Sequence, residues 1–153
     1  MLAIVAYTYI GYGILLYLII NIKRTFNIEK RTVTDSVYQP EVTLLIAAYN
    51  EKDFVKAKME NSLALEYPEE KLKIVWVTDG SNDGSPEMLR SYPDVSVYHL
   101  EARNGKIGAM NRGIEFVKTP ITIFSDANTM LGKESIRRIV RLFRDNKVGC
   151  VSG

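Results

Sequence analysis

The chain is predicted to fold as an α/β protein: a mostly parallel sheet with helices on both faces, preceded by a transmembrane helix. Three observations carry this. From Glu41 onward, short apolar runs alternate with helical patterns, and such alternation builds parallel sheets through crossover helices. The first run, Val42-Thr43-Leu44-Leu45-Ile46-Ala47-Ala48, is almost continuously apolar, as a strand covered on both faces requires. Leu2 to Ile22 carries no charged side chain.

At a rise of about 1.5 Å per residue, that N-terminal stretch makes a helix of roughly 30 Å, the thickness of a bilayer's hydrocarbon core. Tyr7, Tyr9, Tyr12 and Tyr17 lie in it, and tyrosine tolerates membrane interfaces. Lys23 and Arg24 follow at once, with Lys30 and Arg31 close behind. The positive-inside rule then sets the following domain in the cytoplasm. A cleaved signal peptide would want a basic leader, a shorter apolar core and a small-residue cleavage site. None is evident, and a buried soluble helix is the other alternative. Residues 1–22 are therefore read as a membrane anchor. Residues 23–40 are read as a juxtamembrane linker, unpatterned from Thr25 to Pro40. Residues 41–153 form the domain.

Within it, Lys52 to Glu66 is helical, with Val55, Met59 and Leu63 on one stripe. Tyr67-Pro68 breaks it. Leu72 to Val77 is the second strand, Ser81 to Ser85 is turn-rich, and Pro86 to Ser91 is one short helix. Val95 to Tyr98 is the third strand. Ile107, Met110, Ile114 and Val117 give a helical stripe after Gly105-Lys106. Ile121 to Phe124 is the fourth strand, and Ile136, Ile139, Val140 and Phe143 make another stripe. Val148 to Val151 begins a fifth strand. A domain seldom stops on a strand just begun, so the chain reads as part of something longer.

With 153 residues there is room for one domain with a real core. A formal net charge of +2 argues against a nucleic-acid binder, which would show a strong basic patch. One cysteine, Cys150, excludes an intrachain disulfide and a Cys-rich metal site. Its apolar neighbours point to a place in the core. A lone His99 gives no His-based triad or zinc site. Neither G-x-x-x-x-G-K-[ST] nor G-x-G-x-x-G occurs, so P-loop and NAD readings lack support.

Ligands of parallel sheets bind beyond the carboxyl ends of the strands. Polar residues gather at those ends: Tyr49-Asn50-Glu51, Thr78-Asp79-Gly80-Ser81 and Asp126-Ala127-Asn128. Asp126 and Asn128 offer oxygens to a hard divalent cation, which takes one or two carboxylates with phosphate oxygens and water. The alternative is that they only shape a strand-to-helix turn. Asp79 to Ser85 is either a Gly-rich turn or a site where Asp79 accepts from a nucleobase N–H. Asn104-Gly105-Lys106 opens a helix whose N–H groups and dipole favour an anion, with Lys106 suited to a phosphate. The alternative there is a solvated lysine.

Four motifs in order carry a resemblance: Ala47-Ala48-Tyr49-Asn50-Glu51, Thr78-Asp79-Gly80-Ser81-Asn82-Asp83, Asn104-Gly105-Lys106 to Asn111-Arg112-Gly113, and Ser125-Asp126-Ala127-Asn128. From Glu41 to Gly153 the chain resembles family-2 glycosyltransferases, in particular membrane-bound polysaccharide synthases and related N-acetylglucosaminyltransferases. The resemblance implies a GT-A fold, a nucleotide-diphosphate sugar donor (commonly a UDP-sugar), a glycan or lipid-linked acceptor, transfer with inversion, and Mg2+ or Mn2+. By position it implies that Ala48 and Tyr49 line the base pocket. Glu51 approaches the ribose or base, and Asp79 reads the uracil. Lys106 lies near the donor phosphates, and Asp126 and Asn128 are the metal-binding D-x-D.

There are two departures. Thr78 stands where many members have Asp, and Asn128 replaces the second Asp, which keeps an oxygen ligand but loses its charge. Transfer also needs a carboxylate base for the acceptor hydroxyl. In the family that base lies downstream, and no residue here matches it. The expectation is a donor-binding half that does not turn over alone. A nucleotidyltransferase would carry a Gly-rich basic loop where Tyr49-Asn50-Glu51 stands. A nucleotide-binding membrane scaffold is the non-enzymatic alternative.

Overall fold

The computed structural model describes residues 7–26 and 38–152. The chain divides into two units, residues 1–36 and 37–153.

In the first unit a π-helical turn, Tyr7–Gly11, leads into helix α1, Tyr12–Phe26. Ile14, Tyr17, Leu18, Ile19, Ile20 and Ile22 are exposed along it. No helix among the described residues is long and apolar enough to cross a membrane. The 15 residues of α1 rise about 22 Å, short of a hydrocarbon core. The expected anchor from Leu2 to Ile22 is not confirmed by the described residues. Residues 1–6 of that span lie outside them, as do residues 27–37 of the linker. Helix α1 runs on to Phe26, past the expected end at Ile22.

The second unit is built on four parallel strands: β1 (Val42–Ala48), β2 (Leu72–Asp79), β3 (Val95–Leu100) and β4 (Ile121–Asp126), in the order β3-β2-β1-β4. Leu44 pairs with Ile74 on one side of β1 and with Ile123 on the other. Helices α2 (Lys52–Leu63), α3 (Ser85–Arg90), α4 (Gly105–Ile114) and α5 (Ser135–Val140) connect or follow the strands. Side chains alternate across the sheet with period two. Val42, Leu44, Ile46, Ile74, Trp76, Ile121 and Ile123 face Val55 and Met59 of α2, Leu89 of α3, and Ile136 and Val140 of α5. Leu45, Val75 and Val77 face Ala109 of α4 on the other side. The expected parallel sheet with helices on both faces is present.

Five expectations fail in detail. Val148 to Val151 is not a strand: the Val148 N–H donates to Asp145 O at 2.8 Å, and the Lys147 N–H to the Asp145 carboxylate at 3.0 Å. These turn bonds take backbone groups that a ladder would need. Cys150 is exposed rather than in the core. Leu63 is 56% exposed, because the buried face of α2 is Val55, Lys58, Met59 and Ser62. The helix then ends at Leu63. The Glu66 N–H leaves to donate to Lys133 O at 2.8 Å.

Ile107 is 75% exposed. The buried residues of α4 are the small ones, Ala109 and Gly113, which let it lie close on the sheet. A Cβ on Gly113 would stand 2.6 Å from Leu45 Cδ1. The stripe from Ile107 to Val117 is a flank, with Met110 and Val117 half-buried.

Candidate functional site

The chain runs from β1 out to β2 and β3, then returns to β4 on the other side of β1. The order reverses there, and loops leaving β1 and β4 in opposite directions leave a crevice beyond the strands' carboxyl ends. A cleft of about 280 Å³ occupies that place. It is lined by Ala48, Tyr49 and Glu51 after β1, Asp79 at the end of β2, Lys106 on α4, and Asp126 and Asn128 at the end of β4. The structure thus brings together all seven residues singled out in the sequence. The carboxylates of Asp79 and Asp126 share one cleft.

Side-chain bonds between loops fix the first wall. Asn50 adopts φ +53°, a left-handed conformation that Asn tolerates. Its amide pairs reciprocally with Asn82, accepting from the Asn82 N–H at 2.9 Å and donating to Oδ1 at 3.1 Å. The Asn50 N–H donates to Ser81 Oγ. Asp83 accepts from the Lys52 N–H at 2.9 Å, at the start of α2, and from the Ser85 N–H and hydroxyl. Burial pushes the Asp83 carboxyl up, but these bonds outweigh it and hold it below the ordinary aspartate value. Ser81, Asn82 and Asp83 are thus structural.

Asp79 is 3% exposed. Its Oδ2 accepts from the Asn104 N–H at 2.8 Å, and its Oδ1 lies 3.5 Å from Arg112 Nη1. Arg112 Nη2 donates to Thr78 O at 3.0 Å. Thr78, the departure from Asp, bonds His99 Nδ1 through its hydroxyl at 2.9 Å. Gly80 has φ +72°, and a Cβ there would stand 2.8 Å from Arg103 Cβ. That close approach brings Arg103 over the Tyr49 ring, its guanidinium carbon 3.9 Å from the centroid, as a cation–π pair.

The second wall is open. The Asp126 side chain is 45% exposed, and Lys106 Nζ stands 2.6 Å from its Oδ1. Asn128 is exposed beside it. Behind this loop Lys58 is fully buried. It donates to Ser125 Oγ at 2.7 Å and to Thr129 O. Burial pulls its pKa down to about 8, against the upward pull of the Asp126 carboxylate.

Among the described residues no group of three or more His, Cys, Asp or Glu could hold a metal. Asp126 and Asn128 supply two hard oxygens, which suits a cation completed by phosphate and water rather than an all-protein cage. The Lys106 ammonium on Asp126 shows that this carboxylate accepts a cation from the cleft side.

Sequence reasoning missed Arg103 and Lys58, and gave no role to Arg112, which it placed in the third motif. A signal existed for Lys58: it sits between Val55 and Met59 on an apolar stripe. Arg103 directly precedes the Asn104-Gly105-Lys106 motif.

A four-stranded parallel sheet with a polar cleft at its switch point defines the class: an α/β protein that binds its ligand beyond the carboxyl ends of the strands. Residues 43–153 match the model of "Glycosyl transferase family 2", and the chain belongs to that family. Poly-beta-1,6-N-acetyl-D-glucosamine synthase of Staphylococcus aureus (strain MSSA476) is 32% identical over 116 residues, 73% of this chain and 28% of that relative. The synthase of the same name from Staphylococcus epidermidis is 31% identical over the same shares. A mannosyltransferase of Pyrobaculum calidifontis solved with GDP-Man and Mn2+ superposes with a TM-score of 0.76 at 27% identity, over 97% of this chain and 46% of that one. S. aureus TarS solved with UDP-GlcNAc gives a TM-score of 0.64 at 16% identity, over 70% of this chain and 32% of that one. TarS supports the fold alone. The chain spans little more than a quarter of the synthases' length.

Proposed function

We propose that this chain is the donor-binding part of a glycosyltransferase that moves a sugar, with inversion, from a nucleoside-diphosphate sugar to a glycan or lipid-linked acceptor. One observation carries the reading: Asp79 and Asp126, on different strands, open onto one cleft with Lys106 beside it. The donor is a UDP-sugar, and an N-acetylhexosamine is favoured by the names of the synthases that the chain resembles.

Tyr49 and Ala48 form the side of the cleft for the base, with Asp79 at its end and Glu51 toward the ribose. Asp126 and Asn128 hold Mg2+ or Mn2+, which supplies positive charge to the leaving diphosphate. The manganese in the mannosyltransferase structure supports this choice. Lys106, beside Asp126 at the cleft, would meet a donor phosphate there. Arg103, held over Tyr49, adds a second cation to the same cleft. Both favour departure of a nucleoside diphosphate. No residue of this chain is assigned as the base.

The charge-free stretch Leu2 to Ile22, the basic residues after it and the exposed apolar side chains of α1 support a membrane anchor with the domain in the cytoplasm. A membrane acceptor fits that placement. Asn128, uncharged where the motif has Asp, favours the second reading, a nucleotide-binding scaffold.

The test is UDP-GlcNAc binding by calorimetry with and without Mn2+. Metal-dependent binding is expected in the parent chain and its loss in Asp126→Ala. Binding that ignores both the metal and this substitution favours the scaffold. Absence of binding under every condition sinks the donor-site reading.

A further inference from the structure

We infer that Lys58, buried, and Asn61, half-buried, form a clamp on α2 that positions the Asp126–Asn128 loop for its cation, with Lys58 as the principal positioning residue. The inference rests on the reading of Asp126 and Asn128 as the cation-holding pair, and goes beyond it in saying what aims them.

Asp126 ends β4, paired with Ala47 of β1, but residues 127–131 carry no strand or helix. Within the loop, the Thr129 N–H donates to Asp126 O at a long 3.3 Å. The sheet fixes Asp126, but a stretch so lightly tied would not by itself hold Asn128 at a fixed separation from it. The stronger ties come from outside. Lys58 reaches from α2 to both flanks of the pair, donating to the Ser125 hydroxyl before it and the Thr129 carbonyl after it. One turn along the same face, Asn61 closes a reciprocal pair with Leu131. Its amide nitrogen donates to Leu131 O at 2.8 Å, and its Oδ1 accepts the Leu131 N–H at 2.8 Å. Residues three apart share a helix face, so one rigid surface grips the segment at three points.

Lysine is almost never fully buried unless paired, and α2 could seat an apolar residue between Val55 and Met59 at no desolvation cost. The ammonium therefore has a task that a methyl group could not do. It spans the two ends of the loop with donors, which leaves the Asp126 carboxylate and the Asn128 amide turned to the cleft. Groups that orient metal ligands from behind affect metal affinity strongly.

Charge and position predict opposite signs. Removing a buried cation near Asp126 would, by charge alone, make Mn2+ bind more tightly. Releasing the loop would make it bind more weakly. The experiment is a Mn2+ titration of the whole chain in detergent micelles at fixed UDP, following free Mn2+ by electron paramagnetic resonance. Lys58→Met is expected to weaken Mn2+ roughly tenfold with the number of sites per folded chain unchanged. Unchanged or tighter affinity overturns the inference. So does a fall in site number at unchanged affinity, which marks a merely structural lysine.

Should Lys58→Met not fold, Ser125→Ala removes one acceptor of the clamp and is expected to weaken Mn2+ by a smaller factor. An unaltered affinity there overturns the inference too. If the parent chain takes up no Mn2+ with UDP, the donor-site reading itself fails, and this one with it.

Discussion

Two neighbouring regions of one sheet end in aspartate, and the two carboxylates are used in opposite ways. Asp79 closes β2 with its side chain 4% exposed, bound by the Asn104 N–H and facing Arg112. Asp126 closes β4 with its side chain 45% exposed, paired with a lysine that is itself 62% exposed. An exposed ion pair is worth about 0–1 kcal/mol and yields readily to a stronger cation. A buried carboxylate holding backbone N–H groups does not yield. The β2 end is therefore part of the scaffold, presenting a fixed edge to a ligand. The β4 end presents its carboxylate in an exposed ion pair, and Lys58 holds its flanks from behind.

The largest expected effect tests that contrast directly. Asp79→Ala leaves Arg112 and the Asn104 N–H without their buried acceptor. It should cost about 3–5 kcal/mol of stability, as removal of one partner from a buried pair does. Asp126→Ala, at an exposed position, should change stability by no more than about 0.5 kcal/mol while abolishing metal-dependent nucleotide binding. Urea unfolding followed by circular dichroism measures both. Equal losses would break the comparison.

The site's assembly was legible because it depends on order alone. Once strands and helices alternate, the residues just after each strand share one edge, so Tyr49, Asp79 and Asp126 could be placed together without any contact being known. What supports them was not legible. In one dimension Lys58 is a helical lysine like Lys56, and only the packing of the loop after β4 against α2 buries it. Arg103 reaches Tyr49 because Gly80 allows a close approach, which depends on the tertiary path. Apolar residues misled at α4, where closeness to the sheet selected Ala109 and Gly113 and left Ile107 outside. The end near Cys150 misled in the same way: a short apolar run reads as a strand, but Asp145 draws its backbone into a turn.

The next effect sharpens the contrast through pH. Burial holds the Lys58 pKa at about 8, below the ordinary 10.5. Between these values the unfolded chain binds a proton that the folded chain does not. Stability therefore rises with pH in that window, by up to about 1.4 kcal/mol per unit. Tyr67 acts the other way. Burial, then Tyr38, push its pKa to about 12, so the folded chain keeps a proton that the unfolded chain loses above about pH 10, and stability falls there. The measurement is the urea midpoint between pH 8 and 9.5. It should climb in the parent chain and stay flatter in Lys58→Met. Parallel slopes would mean that the lysine at the β4 end is solvated after all.

The smallest effect belongs to the scaffold end and has the opposite pH sense. Asp83 caps the first turn of α2 through the Lys52 N–H and ties it to Ser85. Its folded pKa is held below the ordinary aspartate value. For a carboxylate depressed in this way, the contribution is complete above the unfolded pKa and is lost as pH falls through the folded one. Asp83→Ala should therefore cost about 1 kcal/mol near neutrality, the usual worth of such a cap. The gap from the parent chain should close in acid, where the parent carboxylate is protonated too. Denaturant midpoints of the two chains, followed from pH 7 down into acid until the folded carboxyl titrates, decide it. A gap that persists unchanged into acid would mean that Asp83 acts by filling space, and that the scaffold end does not depend on carboxylate charge as the comparison requires.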